Sequence, residues 1–394
     1  MSSNEFVLQI PYGTRDFLPH EAACKRAIEA KIAETFVKWG YDEVVTPTIE
    51  YLDVLTIGNG RDVEPQMFKF FDKNNRTLAL RHDMTTPIAR VAASRLHEEK
   101  FPLKLSYITN VYRYEQAQTG RQCEFYQAGV ELMGAENASA DAEVIALSIE
   151  LLLQAGLKNF QVSLGQVEFI HGVMEELNIA AEKQQAIKQA MVTRDLVGLG
   201  AMLDQTALTS QAKELLKRIP LLHGKEDMLK QAYSMVCNEQ SKRALDHLTE
   251  IYEVLKGYEL ESYVNFDLGV IRDFNYYTGM VFEVYTPGLG FPLCGGGRYD
   301  HMLSDFGTAC PATGFALGIE RVMLALERQQ LPKATIKKDL YIAWQAGHEL
   351  EAIKKAKKMR AEGKSVEVAL WAQQKDEAEK YQHAKGYQTL IYIG

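Results

Sequence analysis

The sequence predicts an α+β fold, with an antiparallel sheet core, a helical insertion and a small α/β C-terminal domain. Three observations predict it. Strand-like runs cluster between residues 42 and 134 and resume between 262 and 300. Between them, residues 167–256 turn helical and charged and carry no strand runs. Beyond residue 339 strand and helix patterns alternate, which is the signature of a βαβ sheet. A chain of 394 residues is long enough for two or three domains with cores of their own.

Taken in order, residues 19–39 read as a helix. Pro19 sits near its start, Ile28, Ile32, Phe36 and Trp39 recur at helical spacing, and Gly40 stops it. "DEVVTPTIE" reads as a short strand ending at Pro47, and "TLALR" (77–81), 104–115 and 123–134 as further strands. The helix expected over 140–155 has Asp141 and Glu143 in its first turn and Gly156 after its last, where the dipole and the C′ preference favour them. After the insertion come "SYVNFDLGVI", "MVFEVYT" and "FPLCGGGRYD" as strands, and "GFALGIERVMLALER" as a strand running into a helix. "LYIAW", "SVEVALW" and "TLIYIG" are strands alternating with helices over 348–362 and 374–385. The expected organisation is therefore a core of 1–166 and 257–328, an insertion at 167–256, a polar linker at 329–338 and the α/β unit at 339–394.

Composition narrows the function. The apolar fraction of 46% fits a folded globular protein, and a net charge of −8 argues against broad nucleic-acid coating. The five cysteines are scattered without a C-x-x-C pair, which fits a reducing cytoplasm and offers no metal site. No leader is expected at the N-terminus, and "VIALSIELLLQAGL" is too short and too polar to span a membrane. Walker, dinucleotide, zinc-protease and nucleophile-elbow motifs are absent, and no cofactor is expected.

What remains is a set of arginines and acids on strands. Arg113 and Glu115 lie two apart, and Gln127 and Glu131 four apart, so each pair shares a strand face. Arg121 follows a glycine in an expected hairpin loop, Arg272 precedes Tyr276 and Tyr277, and Arg321 opens a helix. Any one of these arginines fits a solvated sheet with cross-strand ion pairs. The set together fits a pocket, because guanidinium forks match carboxylates and phosphates. Asp83, with Thr85 or Thr86, serves equally well as a helix cap or as a ligand group. The three glycines of "LCGGGRYD" weaken a strand and imply a close backbone approach to something small.

In order, these segments resemble histidyl-tRNA synthetase and its non-synthetase relatives. "GYDEVVTPTIE", "VYRYEQAQTGRQCEFYQ" and "GFALGIERV" resemble class II synthetase motifs 1, 2 and 3. "IRDFNYYTGMVFE" and "LCGGGRYD" resemble the two histidine-specific motifs. The resemblance implies a class II synthetase-like core with a homodimeric interface, and a glycine strand that floors a histidine pocket. It implies that Asp83, Thr85 and Gln127 hold the α-amino end of histidine, that Arg272 faces its carboxylate, and that Glu131 and the Tyr276–Tyr277 pair address the imidazole side. Arg113, Arg121 and Arg321 match positions that bind ATP phosphates in synthetases.

The departures point to one branch. "RHDMT" stands where synthetases read R-P-E-G-T, "RDFNYY" where they read R-G-L-D-Y-Y, and Cys123 replaces a loop arginine. The anticodon-binding-like domain is expected to be truncated after "TLIYIG". These features resemble the ATP phosphoribosyltransferase regulatory subunit family. The resemblance implies a non-catalytic subunit of histidine biosynthesis that pairs with a short-form catalytic subunit, is required for its activity and relays feedback by L-histidine, with no tRNA bound. The alternatives are a histidyl-tRNA synthetase activating histidine with ATP, and a ligase that adenylates an amino acid without tRNA.

Overall fold

The computed structural model describes residues 8–58, 60–114, 122–269, 276–307, 309–332 and 334–394. The strands are β1 (Asp42–Glu43), β2 (Ile49–Tyr51), β3 (Lys69–Phe71), β4 (Thr77–Leu80), β5 (Leu103–Tyr112), β6 (Glu124–Met133), β7 (Gln161–Gln166), β8 (His223–Gly224), β9 (Val264–Asp267), β10 (Met280–Tyr285), β11 (Cys294–Arg298), β12 (Ala312–Gly318), β13 (Leu340–Trp344), β14 (Val366–Val368) and β15 (Thr389–Ile393). Among the described residues, nine of these form one sheet in the order β1-β5-β6-β12-β11-β10-β7-β9-β8. Its centre, from β5 to β7, is antiparallel; β1 on β5 and β9 on β7 are parallel.

Register decides what the sheet can hold. Glu131 on β6 faces Leu105 on β5 and Gly314 on β12, and Gly314 in turn faces Gly297 on β11. Two residues along, Gly129 lies between Tyr107 and Ala316, and Ala316 faces Gly295. Cross-strand partners share a face. One face of the central strands is thus paved with Gly129, Gly295, Gly297, Gly314 and Ala316, which leaves a concavity. The other face carries Val130, Leu132, Phe282, Phe315 and Leu317, all buried, and the helix Ala138–Ala155 packs on it. That helix is capped by Asn137, whose side chain accepts from Ala140 N, and ends at Gly156 in the left-handed region.

Two details differ from the expected strands. The strand anticipated up to Pro47 stops at Glu43, because the carbonyls of Thr46 and Pro47 turn inward to the guanidinium of Arg81. The chain then enters a separate three-stranded sheet, β2-β4-β3. β7, whose Val162 and Leu164 alternate inward, was a strand signal too short to stand out. Between β7 and β9 the helices Val167–Glu176, Ala181–Val192, Leu196–Asp204, Ser210–Arg218, Glu226–Met235 and Glu239–Gly257 follow one another, interrupted by the two-residue β8.

The chain divides into two compact units, Met1–Asp16 with Lys25–Lys333, and Phe17–Cys24 with Ala334–Gly394. In the second unit β13 lies between the parallel strands β14 and β15. Tyr341, Ile342, Ala343, Ala352, Ala356 and Ala378 form its core, and Glu367 accepts hydrogen bonds from both Tyr381 and Tyr387. Among the described residues, no helix is long and apolar enough to cross a membrane.

Candidate functional site

The concave face becomes a cavity because one short segment is strapped across it. Arg81 is buried, and its Nε donates to Asn110 O and its Nη1 to Thr46 O, both at 2.9 Å. Arg81 O accepts from Tyr112 N at 2.9 Å, and His82 O accepts from Arg113 Nε at 3.0 Å. The backbone of "RHDM" is therefore held to the end of β5, and Asp83, Met84 and Thr85 turn over the glycine face. The resulting cavity, of about 80 Å³, has room for several water-sized groups.

Six expected ligand residues, Asp83, Thr85, Gln127, Glu131, Tyr276 and Tyr277, line this one cavity, and so do Arg113 and Arg321. Arg121 and Arg272 lie outside the described residues, as does Glu115. The helix Thr85–Arg95 does not use Asp83 as a cap: its N-cap is Met84, with no side-chain cap hydrogen bond. Instead both carboxylate oxygens of Asp83 are buried with no hydrogen-bond partner among the described residues, and Oδ2 lies 3.3 Å from His82 Nε2. Burial holds the His82 imidazole below its ordinary pKa, against the opposing pull of Asp83. An unbonded buried carboxyl group costs roughly 1–3 kcal/mol or more unless a ligand or counter-charge satisfies it.

Glu131 is fully enclosed. A side chain at Gly314 would come 2.1 Å from its Oε2, so only glycine admits the carboxylate there. Tyr299 donates to Glu131 Oε2, and Thr85 hydrogen-bonds it as well. Burial nevertheless pushes its pKa up to about 8, the two hydrogen bonds pulling downward and Asp83 adding to the rise. Glu131 is therefore mostly a neutral acid at pH 7, able to donate as well as accept. Tyr299 is itself pushed well above the usual phenol range, by burial first and by Glu131 second.

Aromatic side chains close the walls. Tyr276 and Tyr277 have ring centroids 4.7 Å apart, and Tyr276 meets Tyr299 edge-on at 5.7 Å. A β-carbon on Gly297 would lie 2.8 Å from the Tyr277 ring, and one on Gly296 2.1 Å from Gly314 O. Of the three consecutive glycines, Gly295 lines the cavity. Gly296 and Gly297 are set by strand packing and by Tyr277.

Two arginines complete the lining. Arg113 N bonds Cys123 O at 2.8 Å, just before β6 begins, and its guanidinium lies 5.3 Å over the Phe125 ring. Arg321 Nη1 donates to Pro292 O at 2.7 Å, and its stem crosses Gly318, the β12 partner of Gln127. Both oxygens of Glu320 accept from Tyr126 N at 3.0 Å, which fixes the start of the helix Ile319–Arg328. Four strand residues separate Gln127 from Glu131, roughly 13 Å. The cavity is thus bipolar in charge, with the carboxyl groups of Glu131 and Asp83 and the guanidinium groups of Arg113 and Arg321 in one lining, Arg113 held beside Asp83 through His82 O. It suits a small zwitterion or a ligand with a donor group and an anionic group. Among the described residues, no cluster of His, Cys, Asp and Glu has the makings of a metal site.

Tyr107, Cys294 and Tyr299 also line the cavity and were not singled out. Tyr107 had a readable signal, since it shares strand parity with Arg113. A β-carbon on its cross-strand partner Gly129 would lie 2.4 Å from the Tyr107 hydroxyl. Cys123, which replaces the expected arginine, is buried, and Gly13 packs directly over its sulfur.

A family model described as histidyl-tRNA synthetase matches residues 13–322. The ATP phosphoribosyltransferase regulatory subunit of Moorella thermoacetica is 42% identical over 395 residues, covering 100% of each chain. The chain belongs to the ATP phosphoribosyltransferase regulatory subunit family. Its fold is class II synthetase-like. A crystal structure described as an ATP phosphoribosyltransferase regulatory subunit/histidyl-tRNA synthetase from Bacillus halodurans C superposes with a TM-score of 0.89 at 36% identity, over 99% of both chains. A histidyl-tRNA synthetase from Nostoc sp. PCC 7120 shares the fold with a TM-score of 0.85 at 19% identity, over 98% of this chain and 92% of that one.

Proposed function

We propose that the cavity binds L-histidine without activating it, and that the protein is the non-catalytic regulatory subunit of a hetero-oligomeric ATP phosphoribosyltransferase. In this reading it is required by a short-form catalytic subunit and relays feedback in the first step of histidine biosynthesis. One observation carries the ligand class. Two buried carboxyl groups, Asp83 with no hydrogen bond among the described residues and Glu131 with its pKa raised by burial, share an enclosed space with tyrosines and with Arg113 and Arg321. Asp83 offers a charge to an ammonium group. Glu131 and Tyr299 offer hydrogen bonds to an imidazole, and an arginine offers a fork to a carboxylate. The regulatory names of the relatives support the role. A homodimeric core belongs to the same reading, supported by the exposed apolar residues Val45, Ile49 and Phe71 in and beside the segment that resembles motif 1.

For feedback to work, histidine must bind two states of the assembly unequally, since equal affinity shifts nothing. A coupling of roughly 1–3 kcal/mol gives graded inhibition. The test reconstitutes the chain with a short-form catalytic subunit and measures inhibition by histidine. Tyr277→Ala and Glu131→Ala are expected to raise the inhibitory concentration while the assembled enzyme stays active. Inhibition unchanged in both variants places the sensor elsewhere. Histidine-dependent ATP–pyrophosphate exchange by the purified chain checks the other half: robust exchange would replace the regulatory reading with a synthetase or ligase.

A further inference from the structure

A second cavity, of about 240 Å³, opens on the opposite face of the sheet, beside the helix Glu239–Gly257. Its wall is polar: Gln166, Glu168, Gln240, Arg243, His247 and Arg298. On the helix, Gln240, Arg243, Ala244 and His247 fall at i, i+3, i+4 and i+7 and so share one stripe. Elsewhere the helix buries Leu245, Leu248, Ile251 and Leu255 in the core. Of this stripe Gln240 and His247 are half-buried and Arg243 is exposed.

Most of its charged groups are committed within the protein. Arg298 is spent on acids: its Nε donates to Asp141 Oδ2 at 3.0 Å and its Nη1 to Asp300 Oδ1 at 3.0 Å. His247 Nε2 lies 3.3 Å from the same buried Asp141 oxygen, and its Nδ1 lies 3.4 Å from Gln166 Nε2. Glu168 is answered by His171 at 3.1 Å and by the Gln240 amide at 2.6 Å. Arg243 is exposed at the cavity, with no hydrogen bond or ion pair among the described residues. Arg298 Nη2, although 2.9 Å from Asp141 Oδ1, is buried without a well-directed hydrogen bond. An exposed guanidinium and a buried one thus border the same space. A β-carbon on Gly279, also in the wall, would come within 3.0 Å of the Arg298 stem, so this glycine makes room for the guanidinium.

We infer that this cavity is a second ligand site, built for a small oxyanion, a carboxylate or a phosphoryl group, held by Arg243 with His247 and Arg298. It is separate from the bipolar cavity and shares none of its lining residues. The two are nonetheless joined through the chain, since Thr278 and Arg298 of the second follow and precede Tyr277 and Tyr299 of the first.

The test uses the full-length chain labelled with ring-¹³C histidine, titrated with inorganic phosphate and separately with acetate at constant ionic strength. The His247 ring signal is assigned by its loss in His247→Gln. The expected result is a saturable shift of that signal, with affinity reduced about ten- to hundredfold in Arg243→Ala, the worth of one charge-assisted hydrogen bond. Lys355→Ala, which removes an exposed charge in the other unit, is expected to leave the affinity unchanged. A shift with phosphate alone assigns a phosphoryl ligand, and a shift with acetate alone a carboxylate; a response to either supports the site. A His247 signal unmoved by both anions, or one that responds equally in Arg243→Ala, overturns it.

Discussion

Replacing Glu131 by Gln is expected to remove a pH dependence of stability that the wild-type chain carries. In the folded protein burial lifts this carboxyl from 4.5 to about 8. Between those two values the unfolded chain has released the proton and the native chain still holds it. The native state binds more protons, so stability falls as pH rises through that window. A single group contributes roughly 1.4 kcal/mol per pH unit there, hence about 3 kcal/mol between about pH 5.5 and about pH 7.5. The Gln side chain is nearly isosteric, keeps an acceptor for Tyr299 and has no charge to bury. The assay is urea unfolding of both proteins across that range, followed as the difference in unfolding free energy. Subtracting one from the other cancels the remaining titrating groups, apart from those that feel Glu131 directly, chiefly Asp83 and Tyr299. The variant is expected to gain on the wild type steadily as pH increases. Parallel curves would mean that Glu131 is ionised in the folded state, and its description as a neutral donor would fall.

Two further outcomes follow from close packing and from paired charge. Gly314→Ala would place a β-carbon 2.1 Å from Glu131 Oε2 and 2.4 Å from Val130 O, so roughly 1–3 kcal/mol of destabilisation and loss of histidine binding are expected, read by thermal unfolding and by calorimetry. Arg298→Met would leave Asp141, fully buried in its helix, without its guanidinium, and is expected to cost about 3–5 kcal/mol; adding Asp141→Leu should recover much of that loss in a double-mutant cycle, and additive losses would refute the pairing.

Long elements with regular periods were legible in the sequence. The helix Pro19–Lys38, the strands β5 and β6 and the alternation after residue 339 carry enough residues for a period to show. Short elements were not: β1 and β8 have two residues each, and a two-residue strand has no period. The segment around Pro47 misled because its backbone is claimed by Arg81, a residue 34 positions away whose partners no local pattern reveals.

The site was legible for a different reason. Gln127 and Glu131 lie on one strand, and their common face follows from parity alone. Asp83, Tyr276 and Arg321 come from three other places in the chain, and only the resemblance to synthetase motifs brought them together before the register did. What neither parity nor motif conveyed is why the cavity exists. That depends on which glycine faces which side chain across the sheet: Gly129 under Tyr107, Gly314 under Glu131, Gly297 under Tyr277. Each pair joins a large polar or aromatic group to a residue with no side chain on a neighbouring strand or turn. Two of the three consecutive glycines therefore answer to packing, and one answers to the ligand space. A glycine run that looks like a single binding motif is in fact the place where three separate steric demands meet, and substituting each in turn should separate them. Alanine at Gly296 or Gly297 should disturb the sheet or Tyr277 first, whereas alanine at Gly295 should act on the ligand.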